Sequence, residues 1–414
     1  MNRSLPSAYV DSARLWARHE ELGRFGATPG GGVNRQALSQ EEIAARSQLL
    51  DWASEGGFST STDVIANLFI RLEGADPDAA PVVTGSHIDS QPTGGKYDGT
   101  FGVLAGLETI EAIVASGLRP LRPIDVIAWT NEEGSRFAPG MMGSEAFAGL
   151  RPMSEILAVT DDQGTTVADA LAAVFQADPM VESRALGGAV HCFVEAHIEQ
   201  GPVLERERLT IGAVTGIQGV RRFRVRLMGE VAHAGTTPRA IRRDALLAAS
   251  RIITALAELT AEPEDVMFTV GMLRLEPNVP SVVPREAYFS IDLRHPDNDV
   301  LSRLANCVAP ICERESGTCD VEVKEIARAD SLSFPVAMVT HIESAARNLG
   351  LEAKRMPSLA GHDARQLHHV CPTGMIFVPC KDGVSHSELE SAKPEDLAAG
   401  ARVLADVVWS LANE

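Results

Sequence analysis

Four short apolar runs end in residues that chelate or move protons: PVVTGSHIDS (81–90), PIDVIAWTNEEG (123–134), AVHCFVEAHIEQG (189–201) and TGMIFVPCKDGVSH (373–386). A lone His at a strand end is ordinarily a hydrogen-bonded structural residue. Here His87, Asp98, the Glu132–Glu133 pair, His197 and His386 recur at four such ends. Imidazoles and carboxylates without thiolate are a ligand set for Zn, Mn or Co, so the predicted chemistry is metal-dependent hydrolysis. Asp98 stands in a loop between Gly95 and Gly99, where both its oxygens can bridge two cations about 3.5–4 Å apart. Asp89 is spaced to hydrogen-bond the His87 imidazole. Two adjacent carboxylates beyond a buried strand repel each other unless a cation compensates one of them. One of Glu132 and Glu133 is therefore expected to ligate and the other to face water between the metals.

Runs of this length bounded by Gly and Pro suit buried strands of a parallel sheet, and open α/β sheets bind ligands beyond the carboxyl ends of such strands. Ser39 and Glu42 have capping-box spacing before a helix stopped by Gly56–Gly57. After the first strand, Val103, Leu107, Ile110 and Val114 mark one face of a helix. From Ile211 the pattern changes: RRFRVRLMGE alternates, a helix is expected at 240–260, FTVGMLRLEP and AYFSIDLRH read as paired strands, and a helix at 299–314 precedes CDVEVKEIA. The expected fold is an α/β, mostly parallel-sheet catalytic domain (1–210 and 331–414) interrupted by an inserted α+β (β-α-β-β-α-β) domain (211–330).

At 414 residues and a net charge of −19, the chain is long enough for two domains and too acidic to favour nucleic acid or an anionic membrane. No apolar run reaches transmembrane length and no secretory signal opens the sequence. Six cysteines without a CxxC pair read as free, mostly buried thiols in a reducing cytoplasm.

The motifs GSHIDSQPTGGKYDGTFGVLAGLE (85–108), TNEEGSRFAPGMMGSEAFAG (130–149), HIEQGPVLE (197–205), AHAGTTP (232–238), PNVPSVVP (277–284), DLRH (292–295), GHDA (361–364) and VPCKDGVSH (378–386) stand in this order. They resemble the M20 family of dinuclear metal amidohydrolases, in its hydantoinase/carbamoylase branch. That branch holds N-carbamoyl-L-amino acid hydrolases, β-ureidopropionases and allantoate amidohydrolases. The resemblance implies two divalent ions per chain, Zn or Mn with Co or Ni as alternatives. It implies one ion on His87, Asp98 and His197, and the other on Asp98, Glu133 and His386. The implied catalytic set is Glu132 as general base, His233 as oxyanion donor and Asp89. Asn278 and Arg294 are implied to grip a carboxylate of the small-molecule substrate, with Gln200 in the pocket and Gly361–His362 in a backbone-lined substrate loop. The resemblance also implies that the inserted domain, 211–330, is a lid and dimerisation domain, so that the protein is a homodimer.

The reaction so implied is hydrolysis of a linear C–N amide, an N-carbamoyl-L-amino acid yielding the amino acid, CO2 and ammonia. β-Ureidopropionate and allantoate are the neighbouring substrates. An aminoacylase or peptidase is more remote, as is a non-catalytic binding protein of the same fold. Three departures bear on the substrate's side chain rather than the reaction: Arg239 where the family usually has Met, Leu359 for a usual Gly, and Cys380 for a frequent Ser.

Overall fold

Val82–His87, Ile124–Trp129, Cys192–Ile198 and Thr373–Val378 are strands buried along their whole length. They pair in parallel in the order Thr373–Val378, Cys192–Ile198, Val82–His87, Ile124–Trp129. Both faces of such strands must be covered, which explains runs that are apolar without alternation. All four carboxyl ends therefore share one edge, with His87 and His197 at or beside it. Antiparallel strands flank this core: Leu68–Leu72 and Ser59–Thr62 on one side, Ile211–Ile217 on the other.

The computed structural model describes residues 5–414 except Glu264. It divides into two compact units, one running to Thr215 and resuming at Phe334, the other spanning Gly216–Ser333. Ile211, where the sequence pattern changes, opens a strand that still pairs with Thr373–Val378 in the larger sheet. No helix among the described residues is long and apolar enough to cross a membrane.

Helix Gln40–Glu55 starts at Ser39, whose hydroxyl accepts the Glu42 N–H at 3.2 Å. The Glu42 carboxylate reaches back to the N–H of Leu38 rather than Ser39, so the reciprocal half of the expected box is displaced by one residue. Helix Thr100–Ala115 is buried nearly all round, and the stripe expected on one face fails at Val114, which is exposed in the last turn. A helix pressed between a sheet and other helices loses one-sided periodicity.

In the smaller unit, Gly219–Met228 and Glu286–His295 alternate buried and open residues and pair antiparallel, with Asp320–Ala329 on the far side of the first. The expected strand 268–277 is two, Met267–Thr269 and Leu273–Glu276, both paired with Glu286–His295. The expected helix 299–314 is also two, Asn298–Asn306 and Val308–Glu315. Pro310 has no N–H for the Asn306 carbonyl and its ring crowds that oxygen, so the first helix ends there. Helix Ala245–Leu259 buries Ile252 and Leu256 against Phe289 and Ile291 in a core of its own.

Helix Ser12–Leu22 buries a polar side chain that meets no polar partner among the described residues. His19 is fully buried, its ring 5.4 Å from that of Tyr97 and 6.2 Å from that of Phe101. Neither ring nitrogen has a hydrogen-bond partner in the protein, and burial pushes its pKa from 6.5 down to about 3. The unfolded chain binds a proton there below 6.5 and the folded chain does not. Stability from this residue is thus complete above about pH 6.5 and lost as pH falls toward 3. We expect wild type to lose up to about 1.4 kcal/mol per pH unit more than His19→Leu in this window. Urea denaturation of both proteins between pH 7 and 4 measures the difference, and parallel losses would contradict the assignment.

Candidate metal centre

Asp98 lies where the strand ends converge, and each of its oxygens faces a different set of side chains. Oδ1 is 3.2 Å from His197 Nε2 and 3.8 Å from His87 Nε2. Oδ2 is 3.3 Å from His386 Nε2, which is itself 3.3 Å from Glu133 Oε2. Potential ligand atoms of His87, Asp98 and His197 lie within 4.8 Å of one another, as do those of Asp98, Glu133 and His386. The structure thus brings together two triads that share one carboxylate.

The backbone fixes which edge of each imidazole faces this centre. His87 Nδ1 is 3.0 Å from the carbonyl oxygen of Asp89, and His197 Nδ1 is 2.9 Å from that of Ile198. A carbonyl only accepts, so each Nδ1 carries a proton and Nε2 is the nitrogen that each ring turns toward the centre. Gly99 N–H donates to His197 Nε2 at 3.1 Å. Gly99 has φ +63°, and a Cβ there would sit 2.3 Å from His87 Nε2. Only glycine leaves the space in front of that nitrogen open.

The expectation that the Asp89 carboxylate holds the His87 ring needs correction. It is the backbone carbonyl of Asp89 that takes the His87 hydrogen bond; the carboxylate is 3.5 Å away from the ring nitrogen. Its oxygens instead accept the N–H groups of Glu132 and Glu133, each at 3.1 Å. Asp89 therefore orients the glutamate pair. Glu132 Oε2 lies 3.6 Å from His87 Nε2, while Glu133 Oε2 also accepts Gln91 Nε2 at 2.8 Å.

Charge is crowded here. Burial, then Asp363, Glu133 and Asp89, push the Glu132 carboxyl well above its usual range. Burial and Asp98 push Glu133 up to about 7. Although burial opposes it, hydrogen bonds with His197 and His386 hold Asp98 well below the carboxylate range. Its hydrogen bond with Asp98 raises His386 to about 9. In the protein alone the imidazoles draw extra protons to balance the acids. A divalent cation meets that need with more charge and would take the place of the protons on the inward-facing Nε2 atoms. The residues fit a metal.

Of the other expected site residues, Gln200 donates Nε2 to Asp98 Oδ2 at 2.9 Å. Gly361 is exposed, but His362 is buried, with Nε2 2.9 Å from Ser358 Oγ and its ring 4.5 Å from that of His197. The GHDA side chains thus pack beneath the centre, and only the backbone around Gly361 is open. Glu195 also neighbours His197 and His362, yet its oxygens already accept Ser86 Oγ at 2.6 Å and Ala364 N–H at 2.9 Å. It braces the loop. His233, Asn278 and Arg294 belong to the smaller unit. His233 and Asn278 are exposed. Arg294 donates Nε and Nη2 to Asp292 at 2.7 and 3.1 Å, and Arg222 Nε donates to the same carboxylate at 2.8 Å. Gln91, Ser385 and Glu390 were not singled out from the sequence. Gln91 and Ser385 lay unremarked inside quoted motifs; Glu390, four residues after His386, lies beyond them.

Residues 83–410 match the family model described as Peptidase family M20/M25/M40. An N-carbamoyl-L-amino-acid amidohydrolase of Rhizobium meliloti is 38% identical, over 98% of this chain and 97% of that protein. A ureidoglycolate hydrolase of Oryza sativa subsp. japonica is 35% identical, over 96% and 84%. The crystal structure of an amidase of the hydantoinase/carbamoylase family from Burkholderia multivorans superposes with a TM-score of 0.91 at 42% identity, covering 98% of this chain and 99% of that one.

The ligand loops are held in register by a buried cation. Arg35 is 1% exposed. Its Nε donates to the Ile88 carbonyl at 2.7 Å, Nη1 to those of Leu22 and Phe25 at 2.8 and 3.0 Å, and Nη2 to Thr100 Oγ1 at 3.2 Å. One guanidinium thereby ties the backbone between His87 and Asp89 to the residue after Gly99. Arg35→Met keeps the stem and strands two buried carbonyls and one half-buried one, at about 1–3 kcal/mol for each buried group before relaxation. A loss of about 3–5 kcal/mol in unfolding free energy is expected by urea titration. A loss below about 1 kcal/mol would show that Arg35 does not hold these loops.

Proposed function

The chain belongs to peptidase family M20/M25/M40, and from that premise and the geometry above we propose that it hydrolyses a linear ureido amide, an N-carbamoyl-L-amino acid. The observation that carries this reading is the pair of triads sharing Asp98, with Glu132 beside them and outside both. His87, Asp98 and His197 would hold one divalent ion and Asp98, Glu133 and His386 a second, Zn or Mn. The chemistry such ions supply is polarisation of the ureido carbonyl and acidification of water.

Glu132 takes the proton of the attacking water and then delivers it to the departing amino-acid nitrogen. Its raised proton affinity suits both transfers. Asp89, gripping two consecutive N–H groups, keeps Glu132 and Glu133 at fixed places. His233 Nδ1 accepts the N–H groups of Gly235 and Thr236 at 3.0 and 3.1 Å. Its proton therefore sits on Nε2, the form that donates to a developing oxyanion. Arg294 and Asn278 receive the substrate carboxylate. Arg222 and Arg294 both meet Asp292 on that sheet face, and a guanidinium can offer the same paired N–H groups to a substrate carboxylate. The C–N bond to the amino acid breaks, releasing the free amine and a carbamate that decomposes to CO2 and ammonia.

The smaller unit in this reading also forms a homodimer. Six unpaired cysteines suit a reducing cytoplasm. The rice relative is named a ureidoglycolate hydrolase, so ureidoglycolate is a further ureido acid to measure beside β-ureidopropionate and allantoate.

Two outcomes are expected. On a panel of these acids and their carboxamides, wild type should release ammonia from N-carbamoyl-L-amino acids and discriminate against the carboxamides. Arg294→Leu should lose about 2–5 kcal/mol of kcat/KM on the acids alone. An unchanged acid-to-amide ratio would remove Arg294 from the substrate site, and no ammonia from any member would overturn the reaction. Second, Glu132→Gln should keep its metal and lose about 10²–10⁴-fold in kcat, whereas Glu133→Gln should lose metal and regain rate in excess metal. Metal analysis with the reverse pattern would exchange the two roles.

A further inference from the structure

Behind Asp98 stands an acid with no part in either triad. Glu390 is buried, 7% exposed, on the loop that carries His386. Its Oε1 accepts the N–H groups of Tyr97 and Asp98, at 2.8 and 3.1 Å. Its Oε2 lies 2.9 Å from Ser385 Oγ, and the same hydroxyl is 2.9 Å from Asp98 Oδ2. A closed ring results: Glu390 to the Asp98 backbone, along the Asp98 side chain to Ser385, and back to Glu390. The contact is close enough that a Cβ on Gly95 would fall 1.9 Å from the Glu390 carboxyl carbon. The second glycine beside Asp98 makes room for this acid as Gly99 does for His87.

With two main-chain N–H groups on Oε1 and the Ser385 hydroxyl, whose one proton serves either carboxylate, against Oε2, Glu390 is engaged away from the centre. We infer that Glu390 is a positioning residue that fixes Asp98 in its bridging orientation and sets the distance between the Asp98 loop and the His386 loop. The inference rests on the two-site reading above. Main-chain amides give it direction: one oxygen holding two consecutive N–H groups constrains the Asp98 peptide, and Ser385 then selects the rotamer that turns Oδ2 toward His386. Partners that orient a ligand are commonly worth 10–100-fold in metal affinity, and the ion bounded by Asp98, Glu133 and His386 is the one that depends on both loops.

The test is titration of the metal-free full-length protein with Mn2+ against a chelating dye. Wild type is expected to bind two ions; fewer would sink the two-site reading itself, whatever Glu390 does. Given two, Glu390→Ala should weaken roughly 10–100-fold the ion that Glu133→Gln also weakens, and much less the other. Glu390→Gln, whose amide oxygen still accepts both N–H groups, should recover much of the loss. Both affinities staying within about twofold of wild type in Glu390→Ala would overturn the inference, as would equal weakening of both ions. If circular dichroism shows Glu390→Ala unfolded, Ser385→Ala decides: it leaves the grip on the amides and cuts only the link to Asp98 Oδ2. Selective weakening of the same ion supports the ring; unchanged affinities dismiss it.

Discussion

Mutual repulsion among buried acids is the constraint around which this structure is organised. Asp89, Asp98, Glu132, Glu133, Glu195, Asp363 and Glu390 are gathered below and at one sheet edge, and Arg35 is the nearby buried guanidinium. The chain resolves the conflict by sorting them. Asp89, Glu195 and Glu390 accept main-chain N–H groups, of Glu132 and Glu133, of Ala364, and of Tyr97 and Asp98. Such bonds stabilise a carboxylate without adding a full charge. Asp98, Glu132 and Glu133 turn toward the imidazoles instead. Acids facing amides become scaffold, and acids facing imidazoles become the centre.

The same main chain sets the polarity of three histidines. Carbonyls opposite Nδ1 put a proton there and turn Nε2 of His87 and His197 to the centre. Amides opposite Nδ1 put the His233 proton on Nε2. One residue type thus takes either tautomer, according to which backbone group it meets.

Much of this was legible in the sequence because it depends on local pattern. Uninterrupted apolar runs mark strands buried on both faces, and their chemistry-bearing ends define an edge. Strict alternation in Gly219–Met228 marks a sheet with one open face. What escaped was interaction at a distance or through main-chain atoms. Glu390 meets Tyr97 across 293 positions, with a backbone amide as partner, so neither spacing nor residue type announces it. Asp89 was read by its two-residue offset from His87, yet a turn of the chain put its carbonyl, not its carboxylate, against the ring. Val114 satisfied the helical period but fell on the final turn, where neighbours no longer cover it. Pro310 could have divided the expected helix at 299–314; the amphipathic period on either side masked it.

Thr373–Val378 is an interior strand, paired with Cys192–Ile198 on one edge and with Ile211–Ile217 on the other. Both neighbours are synthesised well before it. Without it Cys192–Ile198 is an unsatisfied edge and Ile211–Ile217 has no strand that joins it to the sheet, and strand edges of that kind recruit other chains. Adding the strand is a non-local step, slow by topology. It also delivers His386, the last candidate ligand, and Glu390 behind it. Completion of the sheet and completion of the centre are thus one event, so a chain that has not finished folding lacks the second triad.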